Sequence, residues 1–387
     1  MRKRRRRYLV AGIVAAVGLA LQLVPWPRAW VDEFYLAGWF PAWSRGAATV
    51  TGTTPLSVSL LLLGVLLTAL ALAAAWALVA PRPRVPKGGA PVWRPSPWRP
   101  FLTVAAWAVA VLVFWFPLGF ALAYKATSLG AAVAAGAGPS RPDSQAPDAW
   151  LLARLNEAAA ALPAGALAAG SGLPSAATQA AASRCVRTTA LELREAYLPE
   201  TEAAGLALPE RVKALPAGTL LRMGYAGVIS PWLLEPHVDA GLPSASALAV
   251  ALHELAHTAG FAQEADAEAV GILAGLTCDD PSVRYAATLR LATAVRAGLG
   301  PEAGDAFAAA WPVRAQQDAQ AAAEATARYR VELLTRGANT VYDAYLRAQG
   351  GKEGLREYDR GTQLALELLS RLRLLPGPAG GVGEGAT

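Results

Sequence analysis

The chain has 387 residues, 54% of them hydrophobic and 17% charged, with a positive mean hydropathy and a net charge of +6. That balance is too apolar for an ordinary soluble protein and points to a membrane protein with a soluble part. The positive charge is concentrated at the N-terminus and in one short loop, where membrane topology accounts for it, so a nucleic-acid partner is not expected.

Residues 1–7 read Met-Arg-Lys-Arg-Arg-Arg-Arg, a basic tail. An apolar run over 8–25 follows and is just long enough to cross a bilayer. It continues into Trp26-Pro27-Arg28-Ala29-Trp30 with no small-x-small cleavage signal, which favours an uncleaved anchor over a signal peptide. Residues 26–55 form a connecting loop rich in aromatics, four of them Trp, and Trp and Tyr are side chains suited to lying along the headgroup layer. A second span is predicted over 56–80 and a third over 101–124. The loop between them, 81–100, carries Arg82, Arg84, Lys87, Arg94 and Arg99 without an acidic residue. The positive-inside rule puts the tail and this loop in the cytoplasm. Three spans then carry everything after residue 125 across the membrane of a bacterial cell.

Residues 125–148 are rich in Ala, Gly, Pro and Ser and read as a linker to a domain over 149–374. Ala-rich helices are predicted from about 149 and over 175–197. Between 206 and 239, β-type residues broken by Gly and Pro suggest one or two short strands. Further helices are predicted over 264–276, from Pro281 behind an Asp280 cap, and over 312–336, 339–348 and 354–374. The tail 375–387 is Gly/Pro-rich and reads as disordered. The fold class is therefore mainly α (α+β), with three transmembrane helices and a mostly helical domain holding a small sheet. Cys185 and Cys278 form no metal pattern; they could pair or be two separate buried thiols.

The chemistry is concentrated in His253-Glu254-Leu255-Ala256-His257, a HExxH motif holding two of the three histidines. On a helix starting near Ser244 or Ser246, positions i and i+4 share a face, so both imidazoles can bind one zinc, and Glu254 is placed as general base. Gly260 lets the chain turn after the helix. Glu264, Asp266 and Glu268 follow, and with no histidine downstream the third ligand should be a carboxylate. One Zn2+ per chain is expected, activating a water for peptide hydrolysis. A donor for the oxyanion is sought among His237, Tyr342, Tyr345 and Tyr358. The segment before the metal helix is the natural place for an extended substrate to dock.

Glu264-Ala265-Asp266-Ala267-Glu268 resembles the E-x-x-A-[DN] pattern of several integral-membrane zinc peptidases. That resemblance implies Glu264 as ligand, Ala267 as the small residue permitting close helix packing, and Glu268 as the group orienting a ligand histidine. Glu at the last position departs from the pattern, and Asp266 remains the rival ligand. More widely, the chain resembles a bacterial membrane family, a domain of unknown function with three N-terminal spans and a HELAH motif. Glu33 to Ala42, Thr54 to Ser57, Gly224 to Pro231 with Glu235, His253 to Phe261 with Glu264 and Ala267, Asn339 to Tyr342 with Tyr345, and Gly354 to Tyr358 carry the resemblance in consistent order. It implies a zincin-like (gluzincin-like) domain outside the cytoplasm.

The reading that follows is a membrane-anchored zinc metallopeptidase acting on protein or peptide substrates. The alternative is a non-enzymatic sensor or binding module stabilised by zinc. An intramembrane site is disfavoured because polar residues interrupt the 242–261 run.

Overall fold

The computed structural model describes residues 2–79, 96–136, 147–167, 172–201, 205–349 and 357–375. Most of the predicted basic loop 81–100, part of the 125–148 linker and nearly all of the 375–387 tail lie outside the described residues. Among the described residues 73% are helical, and there is one small three-stranded sheet.

Three helices, Arg2–Leu23, Val58–Val79 and Arg99–Gly119, contain stretches long and apolar enough to cross a bilayer. The third stops short of residue 124. Phe120 leaves helical geometry at φ −155°, and Ala121–Lys125 forms a tight turn that enters the domain.

The loop after the first span is helical and packs one face into the domain. Val31–Trp39 is wound as a π-helix and Phe40–Thr51 as an α-helix. Val31, Tyr35, Leu36 and Phe40 are buried in the same core as the domain's helices, while Trp30, Phe34 and Trp39 stay exposed. One apolar face pays better against the core than against headgroups, because burial removes the whole side chain from water. The supposed linker behaves alike. Leu129 and Val133 are fully buried, on a helix Leu129–Ala135 whose first turn is capped by Ser128 and Asp266. The domain therefore takes in residues 31–51 and 120–135 and begins earlier than residue 149.

The sheet has three strands, β1 (Lys213–Leu215), β2 (Gly227–Ser230) and β3 (Glu235–Asp239), in the order β1-β3-β2. β1 runs parallel to the fully buried β3 and β2 antiparallel to it, which leaves β2 at an edge. Lys213 is buried and donates to the backbone oxygens of Thr51 and Thr54, tying β1 to the entry of the second span.

β3 leads into the helix Ser244–Thr258, whose N-cap position is held by Pro243 rather than by Ser244 or Ser246. It ends where Gly260 takes φ +91°. A β-carbon at Gly260 would also lie 2.9 Å from the Arg194 guanidinium and 3.0 Å from the Phe40 ring, so both turn and packing require glycine. The next helix, Glu264–Leu276, matches its predicted bounds and packs on the first through Ala267 and Gly271, the latter 3.1 Å from the His253 backbone nitrogen if given a β-carbon. Pro281–Gly298 follows, with Asp280 capping as predicted. The helices predicted over 312–336 and 339–348 are observed as Val313–Tyr329 and Glu332–Ala348; the break falls earlier in the chain, because Arg330 is extended and the Val331 amide donates to the Arg222 oxygen. Cys185 and Cys278 form a disulfide with Cα atoms 5.6 Å apart, joining Ala176–Tyr197 to the end of Glu264–Leu276.

Candidate metal centre

His253 and His257 sit one turn apart on Ser244–Thr258 with their rings edge to face, 4.7 Å between centroids. Each ring is held from behind. His253 Nδ1 meets Glu268 Oε2 at 3.0 Å, and His257 Nδ1 donates to the Phe261 oxygen at 2.8 Å. Proton-bearing Nδ1 atoms leave both Nε2 atoms as donors to a metal. Both point at one atom, Glu264 Oε2, at 3.2 and 3.5 Å. The three donor groups lie within 4.8 Å of one another and all are buried. Two ligands of a tetrahedral zinc, each about 2.0–2.1 Å from the ion, stand about 3.3 Å apart. The observed separations are edges of such a tetrahedron, and the donor set is one that zinc takes.

Glu264 reaches this point because Ala267 and Gly271 let its helix approach the first. Its other oxygen, Oε1, accepts from the Tyr342 hydroxyl, which leaves Oε2 alone to face the imidazoles. Glu268 is bonded to His253 by one oxygen and to Arg290 Nε by the other, at 2.7 Å. A continuous chain thus runs Arg290–Glu268–His253–Glu264–Tyr342 across four helices. Burial works against the charge on Glu264, but attraction from His257 and bonds to the imidazoles hold it well below the usual carboxylate range. For Glu268 burial again opposes the charge, and Arg290 with His253 outweighs it, giving about 2. Burial would lower His253, yet its bonds to Glu264 and Glu268 raise it to about 10, so a metal must displace a proton there.

Glu254 is buried on the same helix, and its carboxylate lies against Gly227 of β2. A β-carbon at Gly227 would stand 2.5 Å from Glu254 Oε1. Burial raises the Glu254 carboxyl to about 7, a value suited to taking up a proton near neutral pH; a bound dication would draw it down.

The family model "Protein of unknown function (DUF3810)" matches residues 35–366. The chain belongs to the DUF3810 family. No curated protein and no solved structure matches it. The stretch shared with DUF3810 includes every residue of the centre, from Gly227 to Tyr342.

Other candidates from the sequence fall elsewhere in this DUF3810 chain. Asp266, the rival ligand, accepts the amides of Leu129 and Gly130 at 2.7 and 3.1 Å; its place in the helix turns it towards the segment after the third span. His237 bonds Ser57 Oγ through Nε2 at 2.8 Å, beside Glu235, and so serves the start of the second span. Tyr345 stacks on Tyr342 at 6.0 Å, next to the centre. The Tyr358 side chain lies outside the described residues. Three contributors escaped the sequence reading. Arg290 and Arg194 are distant in the chain and carry no motif. Arg194 is buried and donates to the Ala259 oxygen at 2.8 Å, a cation at the C-terminus of the metal helix. Tyr225, whose hydroxyl donates to Asn339 at 3.2 Å, packs edge-on against Tyr342. The spacing Asn339-x-x-Tyr342 was the available signal, since i and i+3 share a helix face.

Proposed function

We propose that this chain is a membrane-anchored, zinc-dependent peptidase whose domain stands outside the cytoplasm. The observation that carries the reading is the convergence of His253 Nε2 and His257 Nε2 on Glu264 Oε2, each at tetrahedral-edge spacing from it, with the buried Glu254 beside them. A purely structural zinc would need the first three and not the fourth. A zinc at this point would acidify a water and polarise a peptide carbonyl. Glu254 would accept the proton of that water and return it to the leaving nitrogen. Gly227 leaves room for that carboxylate at the sheet edge. Tyr342 holds Glu264 Oε1 and leaves Oε2 facing the imidazoles, and Glu268 with the Phe261 oxygen would keep both imidazoles in the tautomer that ligates a metal. Two features support the location: basic residues before the first span and between the second and third, and the Cys185–Cys278 disulfide, a bond that persists in oxidising compartments.

The test is metal content and cleavage of a denatured protein library by the full chain, set against Glu254→Gln. The variant should retain about one zinc per chain and lose cleavage by at least about 100-fold. Equal cleavage by both proteins would remove Glu254 from the mechanism.

A further inference from the structure

We propose that the rim of the metal centre is itself embedded in lipid, so that the site serves polypeptides tethered to the same membrane. The second half of this statement rests on the peptidase reading; the first does not.

The third span, Arg99–Gly119, has 21 residues, about 31 Å at 1.5 Å per residue, which equals the hydrocarbon thickness of a bilayer. Its last residue therefore marks the edge of the hydrocarbon on the domain's side. The turn between β2 and β3 reaches past that edge. Pro231 abuts Gly119, where a β-carbon would come within 2.6 Å of the Pro231 oxygen. Trp232 Nε1 donates to the Leu112 oxygen at 3.1 Å, and Trp115 Nε1 donates to the Trp232 oxygen at 3.1 Å. Leu112 lies seven residues before Gly119, about 10 Å inside the edge. Trp232 keeps 38% of its surface open at that depth, with its N–H satisfied, as an interfacial tryptophan requires.

The helix Glu332–Ala348 continues the same surface. Its C-terminal end is fixed at the spans: the Tyr345 ring lies 6.3 Å from Phe116, and Gln349 accepts from Gln22 of the first span at 2.7 Å. The helix has three faces. Thr335 and Leu346 point into the domain beside Tyr342. The charges pair among themselves on a second face, Arg336 with Glu332 and Arg347 with Asp343. The third face carries Leu333, Leu334 and Val341, with Leu333 80% and Val341 72% exposed. A paired charged face beside an open apolar one is the pattern of a helix lying in the headgroup–acyl boundary. Continuity with the spans at Phe116 and Gln22 selects lipid as the occupant of that face. This helix also supplies Tyr342 to Glu264, so what it touches lies at the edge of the metal centre.

A tethered substrate would then meet the site at a high effective concentration, whereas a freely dissolved one would not. The experiment uses the full chain in vesicles of phosphatidylethanolamine and phosphatidylglycerol. Val341→Cys, with Arg336→Cys as control on the charged face, is labelled with an environment-sensitive fluorophore; both native cysteines are in the disulfide, so only the new thiol reacts. Lipid spin-labelled near the top of its acyl chain should quench the label at 341 at least about threefold more than at 336. Equal quenching at both positions overturns the proposal, as does a label at 341 shielded from lipid and aqueous quenchers alike, which would mean a protein partner or second copy on that face. In the same vesicles a reporter carried by a single span, with its cleavable segment within about ten residues of the bilayer, should be cut at least about tenfold faster than the same segment free in solution. Equal cutting of both overturns the substrate restriction. Quenching at 341 with neither reporter cut leaves the embedded rim standing and removes the peptidase reading.

Discussion

One buried cluster of histidine and glutamate lies between the metal helices and another on β3, and they do different work. Around His253, the donor atoms aim at one point. Each Nδ1 is occupied by Glu268 or the Phe261 oxygen, and Glu264 Oε2 faces both Nε2 atoms. Around His237, the atoms aim at a helix end. Glu235 accepts the amides of Val58 and Ser59 at 2.9 and 2.8 Å and the Ser57 hydroxyl at 3.0 Å, and His237 Nε2 meets the same hydroxyl. There the carboxylate complements the positive end of the second span's helix. Burial lowers His237, whereas at His253 paired carboxylates overcome the burial that would do the same. Residue type and burial are alike in the two clusters, so what separates a metal centre from a helix cap is where the remaining lone pairs point.

The comparison can be broken most directly at the ligands. His257→Ala or Glu264→Ala should reduce bound zinc from about one per chain to near zero, measured by elemental analysis of purified protein. Glu235→Ala should leave zinc unchanged while costing about 1–3 kcal/mol, because the Val58 and Ser59 amides lose a buried acceptor; thermal unfolding in detergent reads this. Zinc lost from Glu235→Ala would show that the clusters are one unit. Removal of the disulfide by Cys185→Ala with Cys278→Ala should cost about 2–4 kcal/mol, since it closes a long loop behind the metal helices. A smaller effect is expected at the residues behind the ligands. Glu268→Gln should weaken zinc about 10–100-fold against a competing chelator, and Arg290→Met by less, because Arg290 acts only through Glu268.

Much of the centre is legible in the chain. His253, Glu254 and His257 follow from spacing, and the bounds of Glu264–Leu276 follow from Gly260 and the acidic first turn. The choice among three acids is not legible from composition, because it depends on which helix face meets the metal helix; Asp266 is turned away towards Leu129. His237 illustrates the same limit, since only the fold brings Ser57, 180 residues away, to its ring. The break at Arg330 has no local signal in an Ala-rich stretch and is imposed by the bond from Val331 to Arg222. How the aromatic loop 26–55 divides is not legible from its residues, because headgroups and a protein core both favour aromatics; only the fold shows that Tyr35 and Phe40 are buried while Trp30, Phe34 and Trp39 stay exposed.

Because Phe40, Phe120 and Leu129 belong to the domain core, the decisive measurement needs the full chain in detergent or lipid. It is the metal content of the purified protein, with Glu254→Gln and His257→Ala beside it. The account predicts about one zinc per chain in the wild type and in Glu254→Gln, and almost none in His257→Ala. A folded wild-type chain that takes up no zinc after incubation with the ion would contradict it.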